Sequence, residues 1–182
     1  MGQLGSRQFC HTFGGSSVTA AREDDHVAER KLDTQLVSGM LEINQKLSLN
    51  FMSTDEKSWK AWQNTFADEF AIEFGGVKPP LKTTPKDFMD WAKKTCATVK
   101  TQHVLFHTEI HLDGDQATSK SQGHARHERT GNGDFWRIYG IYEHEHARTT
   151  AGWRISKSKL TPSDQARNPK LLDATFALAT KS

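Results

Sequence analysis

Two histidines and an aspartate are the residues of this chain best suited to acid–base chemistry. His103 ends a Thr-Gln-His triplet, His127 is the centre of an Arg-His-Glu triplet, and Asp55 precedes Trp59 by four positions. Two imidazoles and an orienting carboxylate can move protons near neutral pH without a metal or cofactor. These residue types therefore predict general acid–base catalysis, with either histidine as the base, if the fold brings three distant segments together.

Helical spacing of apolar residues is confined to the first half of the chain. The apolar residues between Leu36 and Leu47 predict a first helix. Ser53-x-x-Glu56 matches a capping box, which predicts a second helix with Asp55 in its first turn. A third helix is expected to begin at residues 84–85, a Thr-Pro pair suited to an N-cap followed by the first helical position.

The second half of the chain alternates apolar and polar residues with period two, which is typical of strands. Turn-forming glycines divide it into an antiparallel meander. The expected strands are His103–His111, Gln116–Glu128, Phe135–Arg148 and Trp153–Leu160, with an earlier strand around Phe70, Ile72 and Phe74. Helices followed by such a meander predict an α+β fold.

Neighbouring strands carry side chains of contrasting size on one face. Between residues 116 and 128 the side chains on that face are mostly small: Ala117, Ser119, Ser121, Gly123, Ala125 and His127. Between residues 135 and 148 they are mostly large: Trp136, Ile138, Gly140, Tyr142, His144 and His146. The contrast predicts a concave face with room for a ligand. The small residues would equally make room for a packed helix, so both interpretations stay open.

These motifs, in this order, resemble the scytalone dehydratase and SnoaL-like branch of the nuclear-transport-factor-two-like superfamily. The resemblance extends over about residues 36–164 and includes the closing Gly-Trp-Arg-Ile at 152–155. It implies a cone-shaped α+β barrel, with three N-terminal helices packed on a strongly curved, mainly antiparallel sheet. It also implies a SnoaL-like domain at 31–164, preceded by a flexible extension at 1–30 and followed by a tail or lid at 165–182.

The resemblance further implies that His103 and His127 are catalytic and that Asp55 orients His127. Tyr142 is expected to act with them as a phenolic donor to a developing oxyanion. The predicted substrate-binding residues are Phe74, His107, Trp136, Ile138, Gly140 and His144.

The chain also departs from the dehydratase pattern. Thr54 and Phe74 stand where the dehydratase has two tyrosines, and Gly140 and Tyr142 stand where it has a serine and an asparagine. These differences predict a relative with an altered pocket and a different reaction.

Other chemistries are less well supported by the sequence. His144-x-His146 places two imidazoles on one strand face, as in cupin metal sites, but no carboxylate follows at the cupin spacing, so no metal is expected. The spacing of His103, His107 and His111 would suit a metal only on a helix. There is no Gly-x-Ser-x-Gly motif and no glycine-rich phosphate loop.

The amino-acid composition limits the kinds of partner and the cellular location that are expected. The 24 basic and 22 acidic residues nearly cancel and form no basic stripe, so nucleic acid is not expected. No apolar run reaches the ~18 residues of a membrane span. Cys10 and Cys96 form no CxxC motif, which favours a reducing, cytoplasmic location. The first six residues match a myristoylation pattern without a second membrane signal, so a flexible extension is preferred there.

The sequence thus predicts a cofactor-independent lyase or isomerase. The expected substrate is a small oxygenated cyclic metabolite, such as a polyketide or terpenoid intermediate, and the expected assembly is a homodimer or homotrimer. The alternative is a non-catalytic ligand-binding or dimerisation module with the same fold, since fold alone does not decide function.

Overall fold

The computed structural model describes residues 33–74 and 80–172. Its helices are α1 (Thr34–Glu56), α2 (Trp59–Gln63) and α3 (Pro85–Thr95), and its strands are β1 (Phe66–Phe74), β2 (Leu81–Thr83), β3 (Val99–Asp113), β4 (Gln116–Arg129), β5 (Phe135–Thr149) and β6 (Gly152–Arg167). A short 3-10 helix follows at Pro169–Leu171. The predictions for the 1–30 extension, the acylation pattern, Cys10 and the end of the tail lie outside the described residues.

The six strands form one sheet in the order β2-β1-β6-β5-β4-β3. All neighbouring strands are antiparallel except β1 and β6, which run parallel. Strands β3 to β6 form the predicted meander, and the three helices all precede it. The predicted α+β class with a mainly antiparallel sheet is confirmed.

Helix α1 is longer than the sequence predicted. It starts at an N-cap, Asp33, whose side chain accepts from the N–H of Leu36, and it runs without interruption to Glu56. The predicted capping box at Ser53 is wrong, because that side chain lies within the helix and donates to the carbonyl oxygens of Leu49 and Asn50. Asp55 consequently lies in the last turn of α1 and not in the first turn of a second helix.

Helix α3 begins as predicted. The Thr84 hydroxyl accepts a hydrogen bond from the N–H of Asp87, and Pro85 is the first helical residue. The buried face of α3 contributes Phe88 and Ala92 to an aromatic cluster that also receives residues from α1, α2, β1 and β6. We call this cluster the aromatic core; its buried members are Ile43, Leu47, Trp62, Phe66, Phe70, Ile72, Phe88, Ala92, Ala117, Trp153 and Ile155.

The C-terminal boundary predicted at residue 164 falls inside a strand. Strand β6 continues to Arg167, whose partner in β5 is Trp136. Leu171 is buried beyond it, and its carbonyl oxygen accepts from the Arg129 guanidinium at 3.1 Å. Residues 165–167 therefore belong to the sheet. Within the described ranges no helix is long and apolar enough to cross a membrane.

Candidate active site

The end of α1 meets the start of β3 through an aspartate–histidine pair. The Asp55 Oδ1 atom lies 2.7 Å from His103 Nδ1, and Asp55 Oδ2 accepts the backbone N–H of His103 at 2.8 Å. Both carboxylate oxygens are thus engaged by one residue. This bidentate contact fixes the imidazole relative to the strand that carries it.

The predicted pairing of Asp55 with His127 is wrong. His127 lies on β4 opposite Thr101, and its Nδ1 atom is buried without a hydrogen-bond partner in the described part of the chain. The ring of His127 instead packs edge-on against that of His103, with centroids 5.4 Å apart. The two predicted histidines are therefore neighbours, but the carboxylate orients His103.

Hydrogen bonding determines the protonation state of the pair. Burial alone would raise the pKa of the Asp55 carboxyl, but the hydrogen bonds and charge of His103 outweigh it and hold that pKa below its ordinary value. An ionised Asp55 can only accept a hydrogen bond, so neutral His103 carries its hydrogen on Nδ1 and donates it to Asp55. The Nε2 lone pair is then free to take a proton from a ligand.

His127 is kept neutral by its surroundings. Burial lowers its pKa to about 3, and the positive charges that His103 and Lys57 can carry act in the same direction. The ring stacks on Trp136 with centroids 5.1 Å apart. At neutral pH His127 can therefore donate or accept a hydrogen bond, but it is not available as an imidazolium acid.

Tyr142 lies on the same sheet face as both histidines. Burial, and then the Asp55 carboxylate, raise the pKa of the Tyr142 phenol, so the hydroxyl remains a proton donor. The ring lies over Gly123, where an added Cβ would lie 2.4 Å from ring atom Cε2. At this position the small residue on β4 thus makes room for the large side chain of Tyr142 on β5.

Phe51 of α1 occupies the space between these groups. Its ring centroid is 5.4 Å from that of His103, 5.5 Å from that of Tyr142 and 6.1 Å from that of His144. A ligand that contacts both His103 and Tyr142 must therefore also contact Phe51 or displace it. Phe51 was not predicted to be a site residue, although it lies four residues after Leu47 and continues the apolar stripe of the helix.

Most predicted substrate-binding residues surround this group. Ile138 is buried beside Tyr142 in a small cluster, and Phe74 and Trp136 pack against that cluster. Gly140 is also buried, and a Cβ there would lie 2.5 Å from the carbonyl oxygen of Thr161, so the strands approach closely. His144 is 3% exposed and lies behind Phe51.

His107 is the exception. The pairing of β3 with β4 shifts by one residue between Phe106 and Glu109, and His107 adopts a left-handed φ of 54° in this β-bulge. Its side chain is exposed and approaches Gln122 on the opposite face. The assignment of His107 to substrate binding is therefore corrected.

A second polar group lies deeper on the same sheet face. His146 is fully buried and its Nε2 atom lies 2.9 Å from the Ser119 hydroxyl, while the Nδ1 atoms of His144 and His146 have no partner among the described residues. Burial lowers the pKa of His144 to about 3 and that of His146 to about 4. No group of three or more potential metal ligands occurs in the described ranges.

A surface groove of about 250 Å³ lies away from these residues. It runs between α1 and the beginning of β6 and is lined by Glu42, Gln45, Lys46, Leu49, Ala151, Gly152, Trp153 and Arg154. None of the predicted site residues lines it. The groove is therefore separate from the group of titratable residues around His103.

Comparison with known proteins identifies the family of this chain. The family profile of the SnoaL-like domain matches residues 36–159, which is more than half of the chain. The chain belongs to the SnoaL-like domain family. A comparison with curated protein sequences finds no match.

Solved structures share the fold of this SnoaL-like domain. The Kfla4162 protein from Kribbella flavida is 27% identical with a TM-score of 0.70, over 76% of this chain and 99% of that one. A candidate scytalone dehydratase from Novosphingobium aromaticivorans is 16% identical with a TM-score of 0.65, over 75% and 91%. The LinA-type3 hexachlorocyclohexane dehydrochlorinase from Novosphingobium barchaimii is 12% identical with a TM-score of 0.63, over 73% and 92%. The α+β fold of this chain is therefore shared with these solved structures.

Proposed function

We propose that this SnoaL-like domain is a lyase or isomerase in which His103 is the general base and Asp55 orients it. The observation that carries the proposal is the bidentate contact of Asp55 with the ring and backbone nitrogens of His103. It holds Nδ1 as the donor and leaves Nε2 as the acceptor, which is the arrangement that a histidine base requires. Structural neighbours named for dehydration and dehydrochlorination, both eliminations, favour the same reaction class.

The proposed chemistry moves one proton at a time. His103 Nε2 takes a proton from the carbon next to a carbonyl group. The electron pair of that C–H bond forms a C=C bond as the π pair of the carbonyl group moves to its oxygen. The Tyr142 hydroxyl donates a hydrogen bond to the resulting enolate oxygen. In an elimination the enolate re-forms the carbonyl group, the new C=C bond forms toward the β-carbon, and the β C–O bond breaks as the imidazolium of His103 protonates the departing hydroxyl to water. In an isomerisation the imidazolium instead protonates another carbon of the conjugated enolate, and the carbonyl group re-forms.

The low pKa of His127 gives it a different role from the one expected. A neutral imidazole can hydrogen-bond to the substrate without transferring a proton, so we assign His127 to binding and orientation. The base and the acid are then the same residue, His103. The contact with Asp55 thus supports His103, and not His127, as the base in this proposal.

The apolar walls indicate the substrate class. Phe51, Phe74, Ile138 and Trp136 surround His103, His127 and Tyr142 with aromatic and aliphatic surface, and only a few polar atoms converge. Such a lining suits a small cyclic compound with few oxygens. We therefore propose an oxygenated cyclic metabolite, such as a polyketide or terpenoid intermediate.

Hydrogen–deuterium exchange tests this proposal without knowledge of the full reaction. Cyclic ketones of graded size, incubated in D₂O with the protein, should exchange the hydrogens next to the carbonyl faster than in buffer, as followed by proton NMR. His103→Ala should abolish the acceleration, whereas replacement of the exposed His111 by alanine should retain it. Exchange that is equal with wild-type protein and His103→Ala across the series would reject His103 as the base.

One observation favours the alternative function, a ligand-binding module. Phe51 lies between His103 and Tyr142, and Trp136 stacks on His127, so aromatic rings occupy the positions next to the polar groups. A binding protein would use the same apolar walls without proton transfer. Saturable binding of a ketone, seen as NMR shift changes at Phe51, with no acceleration of exchange would support this second function.

A further inference from the structure

Lys57 ends α1 in a conformation that lysine rarely adopts. Its φ is 62°, in the left-handed region where glycine is the usual residue after a helix. Its backbone N–H closes the helix on the carbonyl oxygens of Ser53 and Thr54. A non-glycine residue is strained in this region of φ. We therefore expect the contacts of the Lys57 side chain to compensate for the strain.

The side chain links two elements of the candidate active site. The Lys57 ammonium donates to the Thr101 hydroxyl at 2.9 Å and to the Thr54 carbonyl oxygen at 3.2 Å, and it lies 5.7 Å from the ring centroid of Trp59. Thr101 is two residues before His103 on β3. The link therefore joins the last turn of α1 to β3 at the place where Asp55 meets His103.

We propose that Lys57 is a positioning residue for the Asp55–His103 pair: its hydrogen bond to Thr101 holds the end of α1 against β3, so that the carboxylate stays bidentate on His103. The inference rests on the proposed function only in giving the pair a catalytic role. The link itself is a claim about structure.

The charge of Lys57 adds a second effect. Thr101 pairs with His127 across the β3–β4 ladder, so the ammonium held by Thr101 lies near the second imidazole. A fixed positive charge there opposes protonation of His127. The groups that face this ammonium are Asp55 of α1, Cys96 after α3, and His103 and His127 of the sheet. Lys57 thus supports both the orientation of one imidazole and the neutrality of the other.

Imidazole NMR on three variants tests the proposal. Lys57→Met removes the charge and the donor but keeps much of the side-chain length. Thr101→Val removes the acceptor, and with it the hydrogen bond that the Thr101 hydroxyl makes to Asp55. Lys60→Met is the matched control, because Lys60 is exposed on α2. Exchange of the His103 Nδ1 proton with water should be about tenfold faster in Lys57→Met, the effect of losing one hydrogen bond of ordinary strength, and at least as fast in Thr101→Val. The control should exchange at the wild-type rate.

The result is decisive in either direction. A wild-type exchange rate in folded Thr101→Val or folded Lys57→Met overturns the proposal. If Lys57→Met does not fold, Lys57→Gly decides instead, because glycine adopts the left-handed φ of this position without strain. The titration of His127 should move to higher pH in Lys57→Met, and an unchanged titration of His127 in that folded variant overturns the effect of the charge. None of these readouts needs turnover, so failed ketone exchange in a protein with an intact link would count only against the proposed function.

Discussion

The aromatic core and the inner sheet face around His103 are adjacent but differ in composition. In the aromatic core, aromatic rings contact one another closely; the Phe66 and Phe70 centroids are 4.3 Å apart, and those of Trp62 and Phe88 are 4.8 Å apart. Around His103 the buried apolar cluster has only four members, and three neighbouring histidines have buried ring nitrogens without partners in the described ranges.

This difference separates stability from function. Burying aromatic rings is favourable, whereas burying a polar atom without a hydrogen bond costs about 1–3 kcal/mol. The polar face therefore lowers the stability of the domain, and the aromatic core offsets that loss. Polar groups kept at such a cost are expected where a ligand supplies the missing hydrogen bonds.

The largest expected effect is acid unfolding caused by the polar face. Burial lowers the pKa values of His127, His144 and His146 to about 3, 3 and 4, so all three stay neutral in the folded protein well below the ordinary value of 6.5. The unfolded chain binds those protons first. Stability is therefore complete above pH 6.5 and is lost as the pH falls toward the folded values, by about 1.4 kcal/mol per pH unit for each histidine and about 4 for three.

Urea denaturation at pH 7.5, 6 and 5 measures this slope. His144→Phe should reduce it by about one third, because one of the three groups is removed. The same replacement at His111, which is exposed, should leave the slope unchanged. A pH-independent free energy of unfolding between pH 7.5 and 5 would show that the three histidines are not buried as described.

The next effect concerns the aromatic core. Phe66→Ala should lower the free energy of unfolding by about 3–5 kcal/mol, because the ring is 7% exposed and packs against three other aromatic side chains. Phe106→Ala is the control, since Phe106 is 38% exposed. Denaturation at pH 7.5 compares the two, and similar losses would contradict the distinction between the core and the outer face.

A smaller effect is expected at Tyr142, within the inner sheet face around His103. Gly123→Ala places a methyl group that overlaps the ring of Tyr142. This overlap should lower the free energy of unfolding by about 1–3 kcal/mol. Tyr142→Leu should remove much of that penalty when the two changes are combined. A double-mutant cycle by urea denaturation would then show a coupling of opposite sign to the penalty. Additive effects would mean that Gly123 does not seat the ring.

The strands were predictable because each alternates sharply over many residues. Period two placed His127 and Tyr142 on one face, and the ladder between β4 and β5 keeps them there. The partner of Asp55 was not predictable from the same signals. Ser53 is compatible both with a capping motif and with a position inside a helix. Only the packing of the whole apolar stripe of α1 decides between these two positions.

The bulge in β3 was also hidden from the sequence. One extra residue between Phe106 and Glu109 reverses the side on which later residues lie, so His107 and His111 are exposed while Thr108 and Ile110 face inward. Register depends on the partner strand, which local periodicity does not contain. No sequence pattern singled out Lys57, because a lone lysine after two acidic residues is usually solvated.

The central claim is that Asp55 holds His103 as a base with a free Nε2 atom. Nitrogen-15 NMR of the imidazole rings at pH 7.5 tests it most directly, in wild-type protein and in Asp55→Asn. Wild-type His103 is expected to carry its proton on Nδ1. Asp55→Asn offers one oxygen where two now accept, so its Nδ1–H population should fall. A wild-type His103 protonated on Nε2, or an Nδ1–H population unchanged in a folded Asp55→Asn variant, would contradict the account.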